Sequence, residues 1–142
     1  MSNTLPDPST PFGAKVAQRL RDEQIIWLTA VDASGTPQPN PVWFYWDGEA
    51  AFVYNQPGTK RLPHIARNPK VALHFNTDAD GGEVVIFTGE ARVVPEGSPA
   101  AVQDGYRRKY AAGIQSIGHT WESMQAAYSI TLRITLTKTR GF

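Results

Sequence analysis

From Tyr128 to Thr137 apolar and polar side chains alternate without a break: Ile130, Leu132, Ile134 and Leu136 fall on one side, and Ser129, Thr131, Arg133, Thr135 and Thr137 on the other. A period of two predicts a strand with one dry and one wet face. β-Favouring runs also occur at 25–31, 50–54, 71–75 and 83–94, the last interrupted by Gly89, a position for a bend or bulge. Asp32-Ala-Ser-Gly-Thr36 turns the first run back into Pro37–Trp46. Pro37, Pro39 and Pro41 cannot donate to a ladder, so this return arm belongs on an edge, at a bulge or beside a ligand. Asp47-Gly48 then predicts a hairpin into 50–54.

Helical spacing is confined to short stretches. Val16 and Leu20 stand four apart within 13–22, with Lys15, Arg19 and Arg21 outside. After Tyr54 a short helix begins at Thr59 or, because Pro63 biases Leu62 away from αR, at Pro63, and Asn68-Pro69 stops it. Ser98-Pro99 predicts the cap and first turn of a helix through Val102, Tyr106 and Tyr110 that Gly113 ends. Another starts near Thr120, with Trp121, Met124 and Gln125 at one-turn spacing. Residues 1–11, which contain Pro6, Pro8 and Pro11, read as a flexible arm, and 12–142 as a single domain. The sum is a mainly β protein with short helices, six antiparallel strands closing into a small barrel.

Composition narrows the chemistry. The 142 residues suffice for one core but are close to the lower limit for enclosing a large cofactor unaided, a limit that a dimer relieves. Fourteen basic against 13 acidic residues leave no broad cationic face, so neither nucleic acid nor an anionic membrane is expected as a partner. Without cysteine there is no disulfide framework, thiolate nucleophile or thiolate metal site, which suits a cytoplasmic location. No run is long enough to span a bilayer, and the polar start lacks a secretory pattern. Three histidines, His64, His74 and His119, lie outside any metal-binding spacing, so no metal site is expected.

One segment offers ligand chemistry. Amides of the Pro57-Gly58-Thr59 turn, the Thr59 hydroxyl and the cations of Lys60 and Arg61 can converge on a phosphate; the same residues equally suit a solvated basic turn. Either helix start would point backbone donors toward an anion. Trp43, Tyr45 and Trp46 offer rings to a pocket, but alternation lets only one subset face it. His64 is a further possible donor, and Arg107-Arg108-Lys109 reads as a solvated helix face.

The order of Pro41-Val-Trp-Phe-Tyr-Trp-Asp-Gly48, Asn55-Gln-Pro-Gly-Thr-Lys-Arg61, Asn68-Pro-Lys-Val-Ala-Leu73 and Thr88-Gly-Glu-Ala91 resembles that of the pyridoxamine-phosphate-oxidase-like, FMN-binding split β-barrel family. It looks closest to the actinobacterial branch that uses the deazaflavin coenzyme F420. The resemblance covers 12–142 and implies a six-stranded antiparallel split barrel. It also implies that Thr59, Lys60 and Arg61, with Gln56 beside them, hold the cofactor phosphate, and that Asn40, Pro41, Val42 and Trp43 lie against the ring. Family members are usually homodimers with sites at the subunit interface. The implied reaction is hydride transfer from reduced F420, or alternatively FMN chemistry, to a small electron-poor organic acceptor, with no catalytic residue assigned. The chain departs from the phosphopyridoxal-type oxidases: Val84-Val-Ile-Phe87 stands where they carry a Gln-x-Arg-like stretch, and their C-terminal substrate-binding residues are not evident, so vitamin-phosphate oxidation is not implied. A non-catalytic flavin, haem or tetrapyrrole carrier is the alternative that the same barrel allows.

Overall fold

The computed structural model describes residues 5–142. Asp7 and Thr10 form a turn, with Thr10 Oγ1 donating to the Asp7 carbonyl (2.6 Å) and accepting from Gly13 N (3.0 Å). Thr10 thereby caps helix α1, Pro11–Asp22, with Pro11 at its first position. The strands are β1 (Ile26–Val31), β2 (Pro37–Val42), β3 (Tyr45–Trp46), β4 (Ala50–Asn55), β5 (Lys70–His74), β6 (Val85–Val93) and β7 (Ile130–Gly141). Helices α2 (Arg61–Arg67), α3 (Ala100–Lys109), α4 (Ala111–Ser116) and α5 (Trp121–Ala127) fill the connections. No helix among the described residues is long and apolar enough to cross a membrane.

All pairings are antiparallel, in the spatial order β2-β1-β5-β6-β7-β4-β3. There are seven strands instead of six, because the proline-rich return arm breaks at Trp43-Phe44 into β2 and β3. These two pieces are the outermost strands of the sheet. A flat sheet would hold its edges about 29 Å apart at about 4.8 Å per strand, whereas the three steps from Val42 to Tyr45 span at most about 11 Å. The sheet therefore curls back on itself, and its open seam is bridged by Trp43 and Phe44. Gly89 sits at a register shift with β7, where an added Cβ would lie 2.7 Å from the Thr135 carbonyl oxygen. The bulge supplies part of the bend.

Inward positions of the strands make one apolar cluster, including Ile26, Leu28, Val53, Leu73, Phe87, Leu132 and Ile134; Val16 and Leu20 of α1 and Ile65 of α2 join it. Phe44 is fully buried in the seam. Its N–H donates to the Tyr110 hydroxyl (2.9 Å), that hydroxyl donates to the Gln24 carbonyl (2.7 Å), and Lys109 Nζ donates to the Phe44 carbonyl (2.9 Å) while standing 3.7 Å from the Phe44 ring centroid. The C-terminal end of α3 is thus bonded to the barrel's closure.

Three local expectations change. Helix α2 starts at Arg61, between the two anticipated positions, and Pro63 is its third residue, where a missing N–H costs nothing because no intrahelical acceptor yet exists. Ser98 is not the cap of α3: Pro99 holds that place, and the Ser98 hydroxyl is engaged with Tyr54. Gly113 lies inside α4, and α3 ends at Lys109 with Tyr110 as its cap; the glycine makes room in the packing, since a Cβ there would press to 3.1 Å from the Trp43 indole. Thr120 does cap α5, its hydroxyl accepting from Ser123 N (3.1 Å).

Candidate functional site

Residues of β4 and β7 that point away from the barrel core, among them Tyr54 and Thr131, are covered by α3, α4 and α5. Here the packing is aromatic. Tyr106, Tyr110, Ile114 and Met124 form a second cluster with Trp43, Tyr45, Tyr54, Trp121 and Tyr128 around them. Trp43 stacks on Tyr110 (centroids 4.5 Å apart, planes 5° off parallel), Tyr110 meets Tyr106 at 4.8 Å, and Tyr106 meets Tyr54 edge-on at 4.6 Å. These contacts fix rings in definite orientations. Burial pushes the Tyr54, Tyr106 and Tyr110 hydroxyls above their ordinary pKa, so all three are neutral donors at physiological pH.

A cavity of about 260 Å³ opens between this layer and the seam. Pro41, Val42 and Trp43 form one wall, Tyr54, Tyr106, Met124 and Tyr128 another, Ile25 and Ile117 close the rim, and Arg61 enters from the start of α2. Arg61 Nε and Nη1 are buried and have no hydrogen-bond partner among the described residues. Burial lowers the Arg61 pKa, yet a guanidinium stays charged in proteins. A cation in that state is costly unless an anion meets it. The residues present therefore fit a ligand with an anionic group and a flat apolar body. Ile117, a large apolar side chain 50% exposed at the rim, is one that such a ligand or a partner chain would cover.

The sequence-predicted residues separate into two groups. Pro41, Val42, Trp43 and Arg61 come together in the cavity wall; Asn40, Gln56, Thr59 and Lys60 are not among the residues lining it. Asn40, Gln56 and Lys60 are exposed. Thr59 donates its hydroxyl to the Gln56 carbonyl (2.7 Å), so its proton is used within the turn. Of the three rings offered by the return arm, Trp43 and Tyr45 face the helical layer while Trp46 packs on the barrel core, as alternation requires. His64 contacts Arg67 (3.2 Å) and is not in the wall. The basic run on α3 is not uniformly solvated: Arg108 pairs with Asp104, but Lys109 turns inward to the seam.

Tyr54, Tyr106, Met124 and Tyr128 had not been assigned to a site. They arrive from β4, α3, α5 and the residue that follows α5, and only tertiary packing unites them. Elsewhere a broad groove of about 910 Å³ lies between α1 and residues 76–83. Its charges satisfy one another, with Lys15 on Glu83 (2.8 Å) and Arg19 on Glu23 (3.0 Å), so no ligand is called for there. No group of three or more His, Asp or Glu that could hold a metal occurs among the described residues.

Residues 12–140 match the family model described as pyridoxamine 5'-phosphate oxidase. The chain belongs to that family. It is 34% identical over 94 residues to a pyridoxine/pyridoxamine 5'-phosphate oxidase of Photobacterium profundum, a match covering 62% of this chain and 44% of that protein, so the chain spans under half the length of the relative. Among solved structures it is similar to an F420 reductase (TM-score 0.66, 22% identity, covering 87% of this chain and 94% of that one). It is also similar to HutZ, a haem storage protein of Vibrio cholerae (TM-score 0.61, 17% identity, 93% of each chain). At such identities the structural likenesses show the split-barrel fold of the family.

Proposed function

We propose that this protein is a coenzyme F420-dependent oxidoreductase, with FMN as the alternative cofactor, that reduces an electron-poor organic acceptor. The observation that carries the reading is the partnerless, buried face of Arg61 beside a cavity walled by Pro41, Val42 and Trp43. Arg61 binds the cofactor phosphate; Trp43, held by Tyr110, fixes the plane against which the tricyclic ring lies. Lys60, exposed beside the start of α2, adds charge from solvent, and Asn40, Gln56 and Thr59 complete the contacts to the cofactor in this reading. When bound, the deazaflavin or flavin supplies the hydride chemistry. The protein's own residues orient the reactants and exclude water, effects that can contribute on the order of 7–11 kcal/mol in ideal cases without a catalytic acid.

A cavity of about 260 Å³ is smaller than the roughly 300–1,000 Å³ usual for sites that enclose an organic ligand. We therefore place the complete site in a cytoplasmic homodimer, the partner covering the open side. Haem is the less favoured ligand, since none of the residues lining the cavity is a histidine.

Titration of reduced F420 and of FMN into the parent, Arg61→Ala and Lys60→Ala tests this. Loss of charge-assisted hydrogen bonds worth about 1.5–3 kcal/mol weakens binding by about 10- to 100-fold for Arg61→Ala, and Lys60→Ala has a smaller effect. Equal affinity of the Arg61→Ala variant and the parent for both cofactors removes the phosphate assignment. A bound cofactor that no quinone, enone or nitroaromatic reoxidises makes the protein a carrier.

A further inference from the structure

Among the described residues that line the cavity beside the seam, Arg61 alone carries a charge. No carboxylate shares the lining, and none of the salt bridges among the described residues involves Arg61. Two of its nitrogens, Nε and Nη1, are buried without a partner there. A cation in that state favours a counter-charge brought in from outside. One cation balances one negative charge, and the planar guanidinium donates in pairs to the two oxygens of a single carboxylate.

The space sets the size of what carries that charge. A cavity of about 150 Å³ holds one benzene ring, and this one measures about 260 Å³. The surplus is room for a carboxylate, not for two more fused rings. A tricyclic cofactor therefore has to reach beyond the hollow of one protomer, whereas a one-ring acid is contained in it.

The walls are set before any ligand arrives. Trp43 is stacked on Tyr110 with centroids 4.5 Å apart, and the buried Tyr106 is met edge-on by Tyr54 at 4.6 Å. A ring entering between them orders little that is not already ordered, so even a small ligand keeps most of its binding energy. Tyr54 and Tyr106 are uncharged at neutral pH and do not repel an anion.

We propose that the cavity of a single protomer binds a one-ring aromatic carboxylate, its carboxylate on Arg61 and its ring against Trp43, and that such acids inhibit the protein by excluding the cofactor. The inhibition rests on the oxidoreductase reading; the binding itself does not.

The test titrates benzoate into the full chain without cofactor, following tryptophan fluorescence and ligand-observed saturation-transfer NMR. Saturable binding at millimolar concentrations or below is expected. Benzamide, which keeps the ring and the shape but not the charge, binds about tenfold or more weakly, and Arg61→Met weakens benzoate to the same degree. Lys138→Ala removes an exposed cation of β7 that lies outside the cavity and leaves benzoate affinity unchanged. The comparison of benzoate with benzamide needs no variant, so it decides the matter even where Arg61→Met fails to fold. No saturable benzoate binding, equal affinity for the two compounds, or affinity that Arg61→Met does not lower overturns the proposal. In competition, benzoate raises the apparent Kd of reduced F420 or FMN in proportion to its concentration, and simultaneous binding overturns the inhibition. Benzoate binding in a chain that takes up neither cofactor keeps this site and removes the oxidoreductase reading, whereas cofactor uptake without benzoate binding does the reverse.

Discussion

The two faces of the sheet are packed by different chemistry. Inside the barrel, aliphatic side chains and phenylalanines form one cluster, with Lys109 and Arg19 laid over the rings of Phe44 and Phe75 at its margin. Outside, beneath α3–α5, tyrosines and tryptophans pack around a cavity, and there, among the described residues, Arg61 keeps two buried nitrogens without partners. The first region leaves one buried side-chain atom without a partner among the described residues, Asn55 Oδ1 at the end of β4, on the same side as Ala51 and Val53, while the Asn55 amide donates to the Val53 and Ile130 carbonyls. The second carries a buried cation whose cost is tolerable only if something else supplies its partner, so binding belongs to the helical side and most of the stability to the barrel side.

The sharpest way to break the contrast is to open the interior. Leu73 is fully buried, and Leu73→Ala should cost about 2–5 kcal/mol, read as a drop in urea midpoint, while the affinity for reduced F420 measured below the transition stays that of the parent. A ligand site that loosened in proportion would show that the two regions do not act separately. At the junction the expected effect is smaller. Tyr110→Phe keeps the ring on Trp43 but strips the hydroxyl from Phe44 N–H and the Gln24 carbonyl, costing about 1–3 kcal/mol in denaturation. An unchanged midpoint would mean that the seam does not depend on this bond.

The mildest probe is pH. Burial pushes the Lys109 amine from 10.5 down to about 8, only partly offset by Asp22 and Glu23. Its folded pKa lies below the unfolded one, so between those values the unfolded chain binds more protons and stability rises with pH. Urea midpoints should therefore increase modestly from pH 7.5 to 9.5, and Lys109→Gln should flatten that increase. A wild-type curve that falls over this interval contradicts the assignment.

How much of this was legible beforehand follows from how local each signal is. Strand β7, the Asp32 reversal and α1 announce themselves through periodicity and turn residues, and the carboxylate of Asp32 indeed accepts the amides of Ser34 and Thr36 (both 2.9 Å). The proline-rich arm foretold irregularity, but that its break would join the two sheet edges depends on strand order, which pattern alone does not contain. Gly113 looked like a stop because a glycine in sequence carries the same sign whether it frees the backbone or makes room for an indole. In the site, Pro41–Trp43 and Arg61 could be picked out because each lies in a motif with its own chemistry. Lys60 and Thr59 shared that motif, yet one residue along a two-turn helix or tight turn redirects a side chain to solvent or into its own loop. Tyr54, Tyr106, Met124 and Tyr128 carried signals of helix or strand but no local mark of a site.

Strand β7 is inserted between β6 and β4, pairing with β4 over residues 130–135 and with β6 over residues 132–141. A nascent chain that has emerged only as far as α5 can assemble the meander of β2, β1, β5 and β6, and separately the β3–β4 ribbon, but has nothing to join them. Completion of the cylinder must wait until residues 130–141 leave the ribosome, and a translation product stalled before them would display two unpaired strand edges to the chaperones around it.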